Sequence, residues 1–176
     1  MKSFGIFFRF GGKNVFGVGH IVVQAESPRE ATEKVYNMFS DLSNLNVFSV
    51  MPVKNGKTVL IFKSEKALNF LMEHGYIYTI RTKKRAGEVW ITDRRGGKKI
   101  ADGFIVYVGE VNQLLPDNDW WVTQGACALE KLEKFVQHSG FDSIEEWINA
   151  VKELHSGELP DRMYLHYVKL IEGKRA

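Results

Sequence analysis

Apolar residues in the first third of the chain alternate between short strand-like runs and helical spacing. Phe4–Phe10 is an aromatic-rich run, and Gly11-Gly12-Lys13-Asn14 carries turn chemistry, which predicts a hairpin into Val15–Gln24. Ser27-Pro28-Arg29-Glu30 opens a helix: Ser27 caps it, Pro28 suits the first helical position, and Glu30 completes a capping box. Ala31, Val35, Met38, Phe39 and Leu42 then recur on one helical face. Val47–Val53 and Lys57–Lys63 read as strands around Asn55-Gly56, a tight-hairpin signal. A second helix from Ser64 turns Leu68, Leu71 and Met72 inward and ends at Gly75. The predicted order is ββαββα.

Beyond Gly75 the texture changes. Tyr76–Lys83 and Glu88–Asp93 read as strands joined across Lys84-Arg85-Ala86-Gly87. A Gly96-Gly97 turn leads into Ile100 and the apolar strand Phe104–Glu110, and Gln113–Asn118, with Pro116, reads as a loop. Helical spacing returns at Leu129, Leu132 and Val136 and stops at Gly140. Asp142 or Ser143 caps a further helix with Ile144, Trp147, Ile148, Val151 and Leu154 on one side. Gly157 ends it, Pro160 prevents continuation, and Met163–Ile171 is a last strand. The pattern predicts an α+β protein in two units, residues 1–75 and 76–176, the second expected to fold alone.

Composition narrows the class. With 176 residues and 44% hydrophobic content, the chain can build a packed core. The longest stretches without a formal charge, Asn14–Ala25 and Leu42–Val53, are too short to cross a bilayer. Met1-Lys2-Ser3-Phe4 lacks the apolar run of a signal peptide, so a soluble cytoplasmic protein with no membrane partner is expected. Cys127 stands alone, which excludes a disulfide framework and a cysteine-rich zinc site. No phosphate loop of the Walker type, G-x-S-x-G elbow or H-E-x-x-H pair occurs, and Gly17-Val18-Gly19 lies inside a strand without a following helix. His20, His74, His138, His155 and His166 show no ligand-like spacing and read as surface or half-buried residues. No metal or cofactor is expected.

Charge is the informative feature. The net charge is only +3, yet Arg81, Lys83, Lys84, Arg85, Arg94, Arg95, Lys98 and Lys99 face just Glu88 and Asp93 within one segment. That segment carries +6 and the rest of the chain −3. Concentrated positive charge on an otherwise acidic protein points to an anionic partner. Tyr76, Tyr78 and Trp90 belong to the same predicted hairpin, and Trp120-Trp121 lies in a loop opposite, although Trp90 and Trp147 read more readily as core. Cations with flat rings suit single-stranded RNA. Glu145 and Glu146 are explained by a helix N-terminus, whereas Glu110, at the end of an apolar strand, is a candidate base or an ion-pair partner for Arg81.

Several stretches resemble a known family. Tyr78-Thr79-Ile80-Arg81 resembles the T-x-R element that opens the ASCH domain, and Gly97-Lys98-Lys99-Ile100 leading into Phe104–Val111 is similar to its central strand. Ser139-Gly140-Phe141-Asp142-Ser143-Ile144-Glu145-Glu146-Trp147 resembles the helix start of archaeal ASCH-like proteins, and Tyr164–Val168 their closing strand. The resemblance implies a PUA-like β-barrel with flanking helices and a groove for RNA or a nucleotide. In the family's amidohydrolase branch a lysine precedes the motif threonine by three residues and a glutamate acts as catalyst; here those positions are Tyr76 and, approximately, Ser139, so only Thr79 carries over. The leading expectation is therefore RNA or other nucleic-acid binding through Thr79, Arg81 and the seven further basic residues. An RNA- or nucleotide-directed hydrolase using Thr79 and Glu110 is the alternative. A third reading is a protein-interaction module built from residues 1–75.

Overall fold

Phe4, Ile6 and Phe8 are buried at alternate positions along β1 (Lys2–Gly11), as a half-buried strand requires. The computed structural model describes residues 1–11, 17–40, 43–53, 58–123 and 130–175. The predicted turn at Gly12-Lys13-Asn14, Leu42, Asn55-Gly56, Cys127 and Leu129 all lie outside the described residues. Antiparallel neighbours flank β1: β2 (Gly17–Ala25) pairs from Lys2↔Ala25 to Phe10↔Gly17, and β3 (Ser43–Val53) lies on the other side. Helix α1 (Pro28–Met38) is capped as its sequence predicts, Ser27 Oγ accepting the Glu30 N–H at 3.2 Å. The Glu30 carboxylate reaches past Ser27 to the Glu26 N–H at 2.9 Å.

The predicted hairpins of the middle segment are replaced by longer-range pairings. β4 (Thr58–Ile61) pairs in parallel with β6 (Gly87–Thr92) instead of folding back on β3. β5 (Tyr76–Arg81) pairs with the last strand, β10 (Tyr164–Arg175), instead of with β6. Burial supplies the reason. Ile77 on β5 faces Val168 on β10, which faces Ile105 on β7 (Ala101–Leu114), and this row is fully buried only in the observed register. Helix α2 (Glu65–His74) is capped by Ser64 and ends on Gly75 at φ +79°, where a left-handed residue is required. Trp120 and Trp121, expected in a loop, stand on β8 (Asp119–Thr123), paired with β7. The helix expected over Leu129–Val136 is instead β9 (Glu130–Lys131) followed by one turn, α3 (Glu133–Val136). Helix α4 (Ile144–Leu154) begins at Ser143, whose Oγ accepts the Glu146 N–H at 3.1 Å.

The fold is a mixed α+β arrangement around one ten-stranded sheet that is not closed, with the backbone order β3-β1-β2-β7-β10-β5 and with β4, β6, β8 and β9 branching from β7. Two apolar clusters form. One packs β1, β2 and α1 with Tyr78, Val106, Leu165, Phe135 and Trp147; the other packs Leu60, Phe62, Ala67 and Leu71 with Ile77, Ile91, Ile105 and Val168. Both clusters and the sheet run across the Gly75–Tyr76 position without a break. A fragment of residues 76–176 would lose β4 and α2 from the second cluster, so circular dichroism is expected to show it largely unfolded, in contrast to the full chain.

Candidate nucleic-acid interface

Five strands, in the row β4-β6-β7-β10-β5, surround the second cluster. Laid flat, that row would hold its outer strands about 19 Å apart, beyond the reach of any side chain. Yet Arg81, at the end of β5, donates from Nη1 to the Ile61 carbonyl of β4 at 2.6 Å. The row therefore curls, leaving a cleft of about 260 Å³ between its two outer strands. Helix α4 forms the far wall through Trp147, Val151 and Leu154.

That wall is fixed by the Ser139–Trp147 stretch. Ser139 is buried, donates to the Val136 carbonyl at 2.6 Å and accepts the Phe141 N–H at 3.2 Å. Gly140 has φ +87°, and a Cβ there would meet the Lys66 carbonyl at 2.9 Å, so only glycine lets this turn lie against α2. Lys66 bonds Glu146 and, at 3.4 Å, Asp142, which pins α4 to α2. Glu146 is held below the usual carboxylate range first by that lysine. Glu146 thus serves helix placement, and Glu145 stands beside it in the first turn of α4.

Four cations stand in a largely apolar lining. Lys63, Arg81, Lys83 and Arg85 line the cleft together with Thr79, and among the described residues no aspartate or glutamate lines it. Arg81 is half-buried, with its guanidinium 4.5 Å from the Phe62 ring centroid. Its Nε is buried without a hydrogen-bond partner, and among the described residues no carboxylate pairs with the side chain. Burial first, and then the charge of Arg85, push its pKa down to about 10.

The connection carrying Lys83, Lys84 and Arg85 is anchored from beneath by His166, which is 0% exposed. The Arg85 N–H donates to His166 Nε2 at 3.0 Å, so Nδ1 carries the proton and donates to the Tyr164 carbonyl at 3.1 Å. Burial, followed by the charges of Arg81 and Arg85, lowers the His166 pKa to about 3. On the outer side Lys84 lies over the rings of Tyr107 (5.1 Å) and Tyr164 (5.5 Å). Burial, then Glu110 and Tyr164, raise Tyr107 to about 12.

The remaining candidates are distributed. Arg94, Arg95 and Lys98 are exposed on the β6–β7 connection, and Lys99 pairs with Asp102 at 3.1 Å; none of the four lines the cleft. Gly97 makes their turn tight, since a Cβ there would meet Thr92 Oγ1 at 2.6 Å. Glu110 is opposite Tyr164, which is opposite Arg81, so it stands two strands from β5, about 10 Å away, outside the cleft. Thr79 and Glu110 are therefore not brought together. Tyr76 and Tyr78 pack among Phe70, Phe135, His138 and Tyr167 instead of joining the cations, and Tyr76 Oη bonds His138 Nδ1 at 2.7 Å. Trp147 is core as expected, but Trp90 is 37% exposed. Sequence reasoning missed Lys63 and misread His166. The alternation Tyr164-Leu165-His166 on a strand was the available signal that His166 shares a face with Thr79.

A second concavity, about 1050 Å³, lies on the opposite side of α4, where Asp119, Glu133, Asp142 and Glu145 accompany Lys131 and Lys152. Its mixed charge does not suit a polyanion. Among the described residues no His, Cys, Asp and Glu grouping could hold a metal ion, and no helix is long and apolar enough to cross a membrane. No family model, curated protein or solved structure matches the chain.

The His166 geometry has a pH signature. Its folded pKa lies below its unfolded value, so the unfolded chain binds more protons between about pH 6.5 and pH 3. Stability from this group is fully present above that window and falls as pH drops through it. Denaturant midpoints measured at pH 7 and pH 5 should differ less in His166→Gln than in the parent protein.

Proposed function

We propose that the protein binds single-stranded RNA, or another single-stranded nucleic acid, with its phosphates in the β4–β5 cleft. The observation that carries this reading is Arg81. A half-buried guanidinium whose Nε is buried without a partner, and which no carboxylate pairs among the described residues, is an arrangement that an entering anion relieves. Thr79, Lys63, Lys83 and Arg85 surround that position, and the absence of carboxylates from the lining leaves nothing to repel phosphate. The exposed Arg94, Arg95 and Lys98 extend the attraction beyond the cleft, as chain-length ligands require. The curled row of five strands with its open seam accords with the PUA-like barrel that the ASCH resemblance implies, and on that reading the seam is the groove.

A hydrolase reading retains one specific support: Lys63 and Lys83 line the same cleft as Thr79, so a lysine stands near that threonine although Tyr76 occupies the motif position. Against it, Glu110 is outside the cleft and no carboxylate lies within, which leaves proton transfer to the exposed His155 on the wall. Binding is the better account. For a protein-interaction role of residues 1–75, the large apolar side chains that the described part of this segment exposes are Met1, Tyr36, Met51 and Val59. Val59 belongs to the cleft, and the Tyr36 hydroxyl is occupied, accepting the Val47 N–H of β3 at 3.3 Å.

Two outcomes test the proposal. If the four cations of the cleft each meet a phosphate, the logarithm of the affinity for a single strand should fall with log salt at a slope of about −3, and Arg81→Met should weaken binding at least tenfold under conditions where the variant is still folded, its unfolding midpoint being lowered by the loss of the bond to the Ile61 carbonyl. A flat salt dependence in a fluorescence-anisotropy titration would sink the electrostatic reading. Glu110→Gln should leave affinity unchanged or slightly improved, with no turnover of RNA or acylated cytidine in either form; hydrolysis by the parent that disappears in this variant would promote the enzyme.

A further inference from the structure

Among the described residues the exposed large apolar side chains are few, and two of them, Val59 and Trp90, stand side by side at the edge of the cleft. Val59 (46% exposed) and Leu154 (46%) line it, and Trp90 is the register partner of Val59 across the parallel β4–β6 pair. Partners in register project from the same face, with their strands about 4.8 Å apart, so the indole lies directly beside Val59. The burial pattern of β6 agrees: Val89 and Ile91 point into the second cluster while Glu88 and Trp90 point away. An outward tryptophan flanked by an outward valine is apolar surface left open at the edge of the cleft.

Its surroundings fix what it would hold. Ile61, whose carbonyl anchors Arg81, is two residues along β4 from Val59, about 7 Å away. On the other side of Trp90 its register partner on β7 is Asp102, which holds Lys99 at 3.1 Å. The ring is thus bracketed by the Arg81 cleft on one side and by the Lys99–Asp102 pair on the other. A flat apolar platform beside a cationic cleft matches the base of one nucleotide whose phosphate lies in that cleft. It also gives the second half of the basic segment, which is absent from the cleft, a position along the same strand of ligand.

Resting on the binding mode above, we propose that Trp90, with Val59 beside it, is a stacking shelf for a nucleobase whose phosphate is held at Arg81, the strand continuing toward Lys98 and Lys99. Stacking of this kind accepts any base, so the shelf recognises single-stranded nucleic acid by its unpaired bases and discriminates against duplex, whose bases are already stacked.

The probe is a labelled single-stranded RNA of about eight nucleotides and mixed sequence, beside the same length of sugar-phosphate chain without bases. Trp90→Ala should weaken the RNA roughly tenfold and leave the abasic chain unaffected, and Trp90→Phe should stay within about twofold of the parent because the shelf survives. Trp90 faces outward, so both variants should keep the parent unfolding midpoint. The shelf is overturned if Trp90→Ala binds RNA as the parent does while Arg81→Met has lost it, or if Trp90→Ala weakens the abasic chain equally. Should neither Arg81→Met nor Trp90→Ala alter RNA binding, the cleft itself is not the site and both readings fall together.

Discussion

The hydrogen bond from Arg81 to the Ile61 carbonyl joins two strands that have no backbone pairing with each other. It is short, charge-assisted and partly buried, and it closes the curl of the five-strand row by a side chain where a further ladder would have filled the seam. Sealing the seam with main-chain pairing would leave no cleft. Leaving it without Arg81 would set two bare strand edges side by side, each with unpaired backbone groups. The observed solution keeps an opening and puts a cation in it. The remaining architecture holds that opening at a fixed width: the Ser139–Trp147 stretch fastens α4 to α2 as one wall, and buried His166 fastens the connection bearing Lys83 and Arg85 as its rim.

Helix α4 consequently separates two surfaces of different character. Its Trp147–Val151–Leu154 side borders the cationic cleft, and its Ile144–Ile148 side borders the depression that contains Asp119, Glu133, Asp142 and Glu145. The modest net charge of the chain conceals this asymmetry. An approaching polyanion is attracted at one side of the helix and opposed at the other, which orients it before any short-range contact forms. Lys66, bonded to Glu146 and Asp142, offsets part of the negative charge at the border between the two fields.

Local signals were legible in the sequence; pairing was not. The Ser27, Ser64 and Ser143 caps, the Gly75 terminus and the buried faces of α1, α2 and α4 follow from rules that act within a few residues. The Asn55-Gly56 dipeptide and the Lys84–Gly87 connection suggested hairpins because local turn chemistry carries no information about a competing strand far along the chain. β10 took β5 and β6 took β4 for the sake of rows such as Ile77–Val168–Ile105, whose members are scattered in sequence. The same limit governs the site. Clustering of charge identified Arg81, Lys83 and Arg85, but Lys63 came to them through a parallel pairing, and Trp90 was read as core because a lone tryptophan between apolar neighbours gives no hint of which face of its strand is covered. Glu110 was suspected for its position at the end of an apolar strand, yet the intervening β10 keeps it away from Thr79.

The partner of β5 bears on how the protein comes into being. Its ladder with β10 joins Tyr76–Arg81 to Tyr164–Lys169, the longest excursion between paired strands in the sheet. On the ribosome the chain emerges from its N-terminus, so β1, β2, α1 and β3 can associate early while β5 waits for most of the remaining sequence. Until β10 arrives, Arg81 and the residues after it stay hydrated and the seam does not exist. The cationic cleft of a nascent chain is therefore not assembled until β10 is in place, and contacts so distant in sequence favour slow docking of that strand.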